Sequence, residues 1–511
     1  MGFFRSLLIL LGVFFSCLAL LVPFLALDIP LAGEAWVIQS ISELHQNFRL
    51  VPTLNGIPLH GPNPLMPVLF SLLPVADIAA LRLVNILFGC LAALAVFSFS
   101  TSQWNVRSGV FSALITMTSW GFIASHATLN LTAVPAVLAA ISFLLFAQVY
   151  LKGQGARWYL PSYFLAGLAT VLGGWIPLGF FIFGVILLIL FDLSPKRILS
   201  ILAPYGILLI AVMIMAVLAA YTIASGWSYA AGVFSFDTEH GVFERLWIWI
   251  KYLMPWLLLV IPAWAYSGRP QGPGAWRALL APKTGFGMGL AAVLFSPNLQ
   301  EGYALLGVPF AGILIGYWAA GGFLVPQRLQ IVRTAALAAT GAILVAWAFL
   351  QLSVESIRDL SLSLTQGLAL IALLAAAALF WWFARKRQAP AVVGLCMVLV
   401  FCLSWYAALV MLPARSAGPM DYARQISGFS PLLVYRNDLV MRGYLGNAGA
   451  RPIVVSEEVV PVGQIAYLAL RTDDLDEAVD LLSRRMDAEV VSMYDRRETY
   501  ALVRISPFFR E

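Results

Sequence analysis

Thirteen apolar stretches, most of them about 17–25 residues long, set the limits on what this chain can fold into. Each is long enough to cross a bilayer as a helix, and lipid admits only helices or closed barrels because nothing there satisfies a bare backbone. The stretches fall at about 6–27, 80–100, 108–125, 131–151, 158–175, 177–192, 199–221, 246–267, 285–296, 303–320, 334–352, 364–383 and 391–413. The fifth and sixth are parted by Gly173-Gly174-Trp175-Ile176-Pro177, a turn signal. The ninth is short and reads as half of a broken helix. With 61% hydrophobic and 11% charged residues, against about a quarter charged in soluble domains, a polytopic α-helical membrane protein is expected. A single Arg5 precedes the first stretch, which reads as an uncleaved span rather than a signal peptide. Cys17, Cys90, Cys396 and Cys402 all fall in apolar runs without metal-ligand spacing.

An odd number of spans puts the two ends on opposite sides. With the N-terminus cytoplasmic, the inner loops collect fourteen basic residues, among them Arg107, Lys152, Arg157, Lys196 and Arg197. The outer loops before residue 414 hold five: Arg49, Arg82, Arg245, Lys251 and Arg358. That asymmetry is the orientation signal of cytoplasmic loops, so the excess of +6 is no mark of nucleic-acid binding. The same orientation gathers His45, His60, His126 and His240 on the outer side, with Asp28, Glu34 and Glu239. Acid–base or metal chemistry is therefore expected there.

Two polar regions interrupt the apolar pattern. The first is an outer loop over 28–79, within which the apolar segment from Pro64 to Leu73 is too short to cross and reads as re-entrant or interfacial. The second is residues 415–511, with 12 Lys+Arg and 14 Asp+Glu and no spanning run. Short β-rich runs at Leu432–Tyr435, Pro452–Ser456, Ala466–Arg471, Glu489–Tyr494 and Tyr500–Ile505 surround a helical pattern from Leu475 to Met486. Residues 1–414 are thus expected to form a membrane domain, and residues 415–511 a small C-terminal α/β domain outside it.

This layout resembles the GT-C glycosyltransferases, in particular the branch of the lipid A aminoarabinose transferases and protein O-mannosyltransferases. The matching pieces are Ala32-Gly33-Glu34, Ser42-Glu43-Leu44, Val51-Pro52-Thr53-Leu54-Asn55-Gly56-Ile57-Pro58 and Gly61-Pro62-Asn63-Pro64-Leu65. Ser296-Pro297-Asn298 through Tyr303-Ala304-Leu305-Leu306-Gly307-Val308-Pro309 matches a later segment. The resemblance implies an inverting transfer of sugar from a polyprenyl-phosphate carrier to an envelope acceptor, lipid or protein, on the periplasmic side of a bacterial inner membrane. The partners implied are the donor, the acceptor and the bilayer, with no nucleic acid.

The departures fall on the family's working groups. Its first-loop aspartate aligns with Gly33, its second with Thr132 or Ala133, and its two lysines with Pro62 and with Gln300 or Glu301. Transfer at an anomeric carbon needs a base for the acceptor and a cation for the departing phosphate. Glu34 and Asp28 are the candidate bases; Arg82, Arg49, Arg245 and Lys251 are the candidate phosphate ligands. His60, Glu239 and His240 form a candidate divalent-metal set. The alternative is a catalytically degenerate protein of the same fold, acting as a lipid-binding or scaffold subunit. A transporter is disfavoured because ionisable residues are nearly absent from mid-span.

Overall fold

The computed structural model describes residues 2–27, 34–54, 57–58, 65–73, 77–192, 204–225, 241–266, 273–295, 301–321, 340, 382, 389–435, 439–448, 453–455, 466–471, 475, 478, 486–494 and 500–507. Helix α1 (Gly2–Leu21) continues as a tight turn to Ala26. The outer loop folds into α2 (Ala35–Gln46), a hairpin of β1 (Thr53–Leu54) and β2 (Ile57–Pro58), and the short α3 (Leu65–Ser71). Then follow α4 (Ile78–Gln103), α5 (Val106–Met117), α6 (Trp120–His126), α7 (Ala133–Lys152), α8 (Leu160–Gly173) and α9 (Trp175–Asp192). After them come α10 (Pro204–Ser225), α11 (Val242–Leu253), α12 (Leu257–Tyr266), α13 (Pro273–Leu294), α14 (Val308–Ala320), α15 (Ala389–Tyr406) and α16 (Leu412–Ile426).

Among the described residues, six helices are long and apolar enough to cross a membrane. Two bent pairs pass only when taken together, each as a broken span or a re-entrant loop: α5–α6, bent by 64°, and α11–α12, bent by 82°. The turn expected between the fifth and sixth stretches is present, with Gly174 at φ +74°, a conformation that suits glycine because it has no Cβ. The ninth stretch is a correction. It is the end of α13, an unbroken helix of 22 residues whose first half carries Arg277, Pro282 and Lys283 and so escapes an apolar count. The expected spans at 334–352 and 364–383 lie outside the described residues.

The chain divides into two compact units, Met1–Pro23 with Leu83–Tyr406, and Phe24–Arg82 with Ala407–Glu511. In the first, α14 is the most enclosed span. Gly312 and Gly316, one turn apart, let its backbone close onto Ser112 and Thr116 of α5, where any side chain would collide. Small residues at this spacing bring spans together where lipid supplies no hydrophobic drive between them.

The second unit is built on a five-stranded sheet of β3 (Leu432–Tyr435), β4 (Ile453–Val455), β5 (Ala466–Arg471), β6 (Met486–Tyr494) and β7 (Tyr500–Pro507), in the order β4-β3-β5-β7-β6. The first three strands are parallel and the last two pair antiparallel, with α17 (Leu439–Asn447) crossing between β3 and β4. Alternating side chains serve two cores. Leu433, Leu468 and Val503 face one side, while Val434, Ala469 and Leu502 face the other with Met420, Ala423 and Ala35 of the outer loop.

The outer loop is held to this unit by backbone approach. Gly443 of α17 lies against the backbone of Ala35 and Trp36, and Asn447 donates to the Ala35 carbonyl at 3.1 Å. Gly443→Val would force the two helices apart. It should lower the stability of the full chain by about 1–3 kcal/mol, read as a drop in melting temperature in detergent, whereas Gly428→Ala, with open space around it, should change nothing.

Candidate active site

Within the second unit, Glu34 stands just before the first turn of α2, yet its side chain does not cap the helix. It reaches Arg82 near the start of α4 instead. Arg82 Nε donates to Glu34 Oε1 at 3.0 Å and an Nη to Oε2 at 2.6 Å; the other Nη donates to the carbonyls of Phe24 and Leu27. Neither side chain meets solvent, their exposures being 0% and 2%. This is the bidentate geometry in which a guanidinium matches a carboxylate most closely. The sequence offered Glu34 as a base and Arg82 as a phosphate ligand; the structure bonds them to each other.

The loop's other polar groups are also engaged. Thr53 donates to Glu43 at 2.6 Å, Gln39 donates to Glu43 at 3.2 Å, and His45 Nε2 lies 3.0 Å from the Leu73 carbonyl. Arg49 is exposed beyond α2. Arg442, which sequence reasoning passed over, is buried and donates to the Leu54 carbonyl. Burial pushes its pKa down, and the nearby Glu43 carboxylate opposes that shift.

Within the first unit a second polar cluster forms where α6, α11, α13 and the turn Glu301–Gly307 meet. Helix α11 buries Arg245, Ile248, Trp249 and Tyr252 and exposes Phe243, Trp247 and Lys251. Arg245 and Trp249, one turn apart, share the inner face. Arg245 donates to the Leu294 carbonyl at 3.1 Å, and Trp249 Nε1 has no hydrogen-bond partner among the described residues. Gly307 lies beneath that indole nitrogen, where a side chain would press on it. The helix thus separates two cations that the sequence grouped: Arg245 points inward and Lys251 outward.

Beside this, His126 is fully buried, with Nδ1 at 3.0 Å from the Asn85 carbonyl. A carbonyl only accepts, so Nδ1 carries the proton and Nε2 is a bare acceptor, without a partner among the described residues. Asn85 donates to the Thr128 carbonyl at 2.7 Å, and its Oδ1 likewise has no partner there. Thr132, one of the two positions where the resemblance would put a second aspartate, donates to Asn130 at 2.7 Å. Tyr303 donates to the Gly173 carbonyl, tying the Glu301–Gly307 turn to the end of α8.

Asp28, His60, Glu239 and His240 lie outside the described residues. Among the described residues no three His, Cys, Asp or Glu side chains converge as a metal set.

No family model matches the sequence, and no curated protein matches it. Solved structures do. ArnT from Cupriavidus metallidurans bound to undecaprenyl phosphate superimposes with a TM-score of 0.69 at 15% identity, covering 98% of each chain. The chain has the ArnT fold. The apo state of ArnT matches with the same TM-score at 16% identity, covering 99% of this chain and 98% of that one. An oligosaccharyltransferase from Archaeoglobus fulgidus matches with a TM-score of 0.45 at 12% identity, over 88% of this chain and 64% of its own. The GT-C likeness expected from the first loop is borne out as a fold, end to end, and with it the multi-span bundle carrying a C-terminal sheet domain. The ArnT fold is kept although glycine stands at the expected aspartate.

Proposed function

We propose that this chain is a membrane glycosyltransferase that moves a sugar from a polyprenyl-phosphate donor to an envelope acceptor on the periplasmic side of a bacterial inner membrane. The observation that carries the reading is the end-to-end likeness to ArnT, a protein solved with undecaprenyl phosphate. The chain's own chemistry supports it. The inner face of α11 offers a buried guanidinium, Arg245, and an indole N–H, Trp249, both donors suited to phosphate oxygens. Its outer face, with Phe243, Trp247 and Lys251, suits a helix lying in the lipid interface, where a polyprenyl tail arrives.

The acceptor's O–H oxygen attacks the anomeric carbon, the bond from that carbon to the phosphate oxygen breaks, and polyprenyl phosphate leaves carrying the bonding electrons, its charge requiring a cation or an N–H donor. The acceptor's proton needs a carboxylate. Both oxygens of Glu34 are engaged by Arg82, so we assign the proton to Asp28 and a positioning role to Glu34.

Purified chain in proteoliposomes, supplied with radiolabelled polyprenyl-phosphate sugars and envelope lipid, should transfer label to the lipid. Arg245→Gln should reduce the rate on the order of a hundredfold, since a donor aimed at developing charge is worth about 2.7–4 kcal/mol in an enclosed site. Trp249→Phe should reduce it less, about tenfold. The mutual saturation of Glu34 and Arg82, with glycine at position 33, favours one other reading: a lipid-binding subunit of this fold without transfer. Absence of label transfer from any polyprenyl donor, with donor binding retained, would decide for it.

A further inference from the structure

Helices α9 and α10 both lean on α8 but hardly touch each other. On the α8–α10 side the contact is close, because Gly206 fits against the Tyr163 ring and Gly167 against Met213. Between α9 and α10 a cavity of about 470 Å³ remains, floored by Tyr163 and Phe181 and walled mostly by isoleucines. Such β-branched walls hold a single side-chain rotamer in a helix, so they cannot swing inward to close the gap. Ile182, Ile186 and Ile207 on its rim are 43%, 44% and 50% exposed, which leaves it open sideways.

We propose that this groove is a binding site for an anionic phospholipid, separate from the polyprenyl donor, with one acyl chain between α9 and α10 and the headgroup phosphate on Lys152 and Arg157. The dimensions fit one leaflet. From Leu178 to Ile189 the lining runs about 16 Å along α9, half of the roughly 30 Å hydrocarbon core. A polyprenyl chain has no such limit of length.

Charge sets the direction. At the Ile189 end, Tyr150 donates to Asp192 at 2.7 Å and so ties the end of α7 to the end of α9, which sets the exposed Lys152, two residues further along α7, at about the level of that mouth. At the start of α8, less than two turns before Tyr163, the exposed Arg157 lies 5.6 Å from the ring of Trp158, itself 52% exposed. Cations and amphipathic aromatics mark a headgroup level. The opposite end, the Gly173-Gly174-Trp175 turn, carries no charge. It is also the end that Tyr303 joins to the Arg245 cluster, so the groove's headgroup lies away from the proposed transfer site.

Native mass spectrometry of the full chain, after exchange into detergent with equal phosphatidylglycerol and phosphatidylethanolamine, should show one retained phosphatidylglycerol. Ile186→Trp with Ile210→Trp should remove it. Lys152→Gln with Arg157→Gln should cut the preference over phosphatidylethanolamine about tenfold, each cation contributing a few-fold. A measurement on the unaltered chain guards against misfolding: phosphatidylglycerol carrying a diazirine in its tail should label peptides within Ile182–Ile189 or Ile207–Ile214. Equal retention of the two lipids, labelling elsewhere, or loss of polyprenyl phosphate rather than phosphatidylglycerol on filling the groove would overturn the proposal.

Discussion

Arg82→Met should cost the chain about 3–5 kcal/mol, the usual penalty when one partner of a buried ion pair is deleted and the other charge stays behind. Glu34 would be left with no solvent to turn to, since its side chain is 2% exposed. The Leu27 carbonyl would also lose its guanidinium donor, at about 1–3 kcal/mol for a buried acceptor left unmet, whereas the Phe24 carbonyl keeps the Leu27 N–H at 3.4 Å. Adding Glu34→Leu removes the orphaned carboxylate and should return roughly half of the loss, because a hydrophobic pair often replaces a buried salt bridge at little cost. The measurement is the melting temperature of the full chain in detergent for both singles and the double. A single substitution costing under about 1 kcal/mol would show that the fork is ornamental, as exposed ion pairs commonly are.

That pair also shows where the sequence stops being legible. Glu34 and Arg82 each stood out as ionisable groups in an apolar chain, but 48 residues separate them and no local pattern joins a loop acid to a helix arginine. Local patterns performed well where the period was local. The strands Leu432–Tyr435 and Ala466–Arg471 coincide with short, continuous apolar β-rich runs, and the turn at Gly173-Gly174 follows from its glycines. They failed where polar residues ride on a buried helix. Arg277, Pro282 and Lys283 masked the first half of α13, and Arg277 bonds to Asp192 at 2.8 Å, a partner 85 positions earlier.

The cluster around His126 was hidden for another reason. Its bare Nε2 is fixed by a backbone carbonyl, that of Asn85, and a carbonyl leaves no trace in residue identity. Trp249 was one tryptophan among 16, and only the burial of the α11 face sets it apart. Tyr303 had a sequence signal, since it lies in the later family-like segment.

The sharpest functional contrast is between the two candidate bases of the outer loop, Asp28 and Glu34. A general base contributes about 10²–10⁴ to a rate, so Asp28→Asn should lower sugar transfer by that factor while leaving donor binding and melting temperature unchanged. Glu34→Gln should behave differently. Glutamine keeps one oxygen to accept from Arg82 but replaces the other by an amide that faces the guanidinium with donors of its own, so the fork is half broken. Its first effect should be on stability, with transfer reduced in proportion to the share of folded chain. The pH profile separates the roles where the rate alone does not. A base at Asp28 imposes an acid limb on transfer that Asp28→Asn abolishes and Glu34→Gln leaves in place. If the acid limb instead disappears with Glu34→Gln while the protein stays folded, then Arg82 releases the carboxylate during turnover, and the base is Glu34.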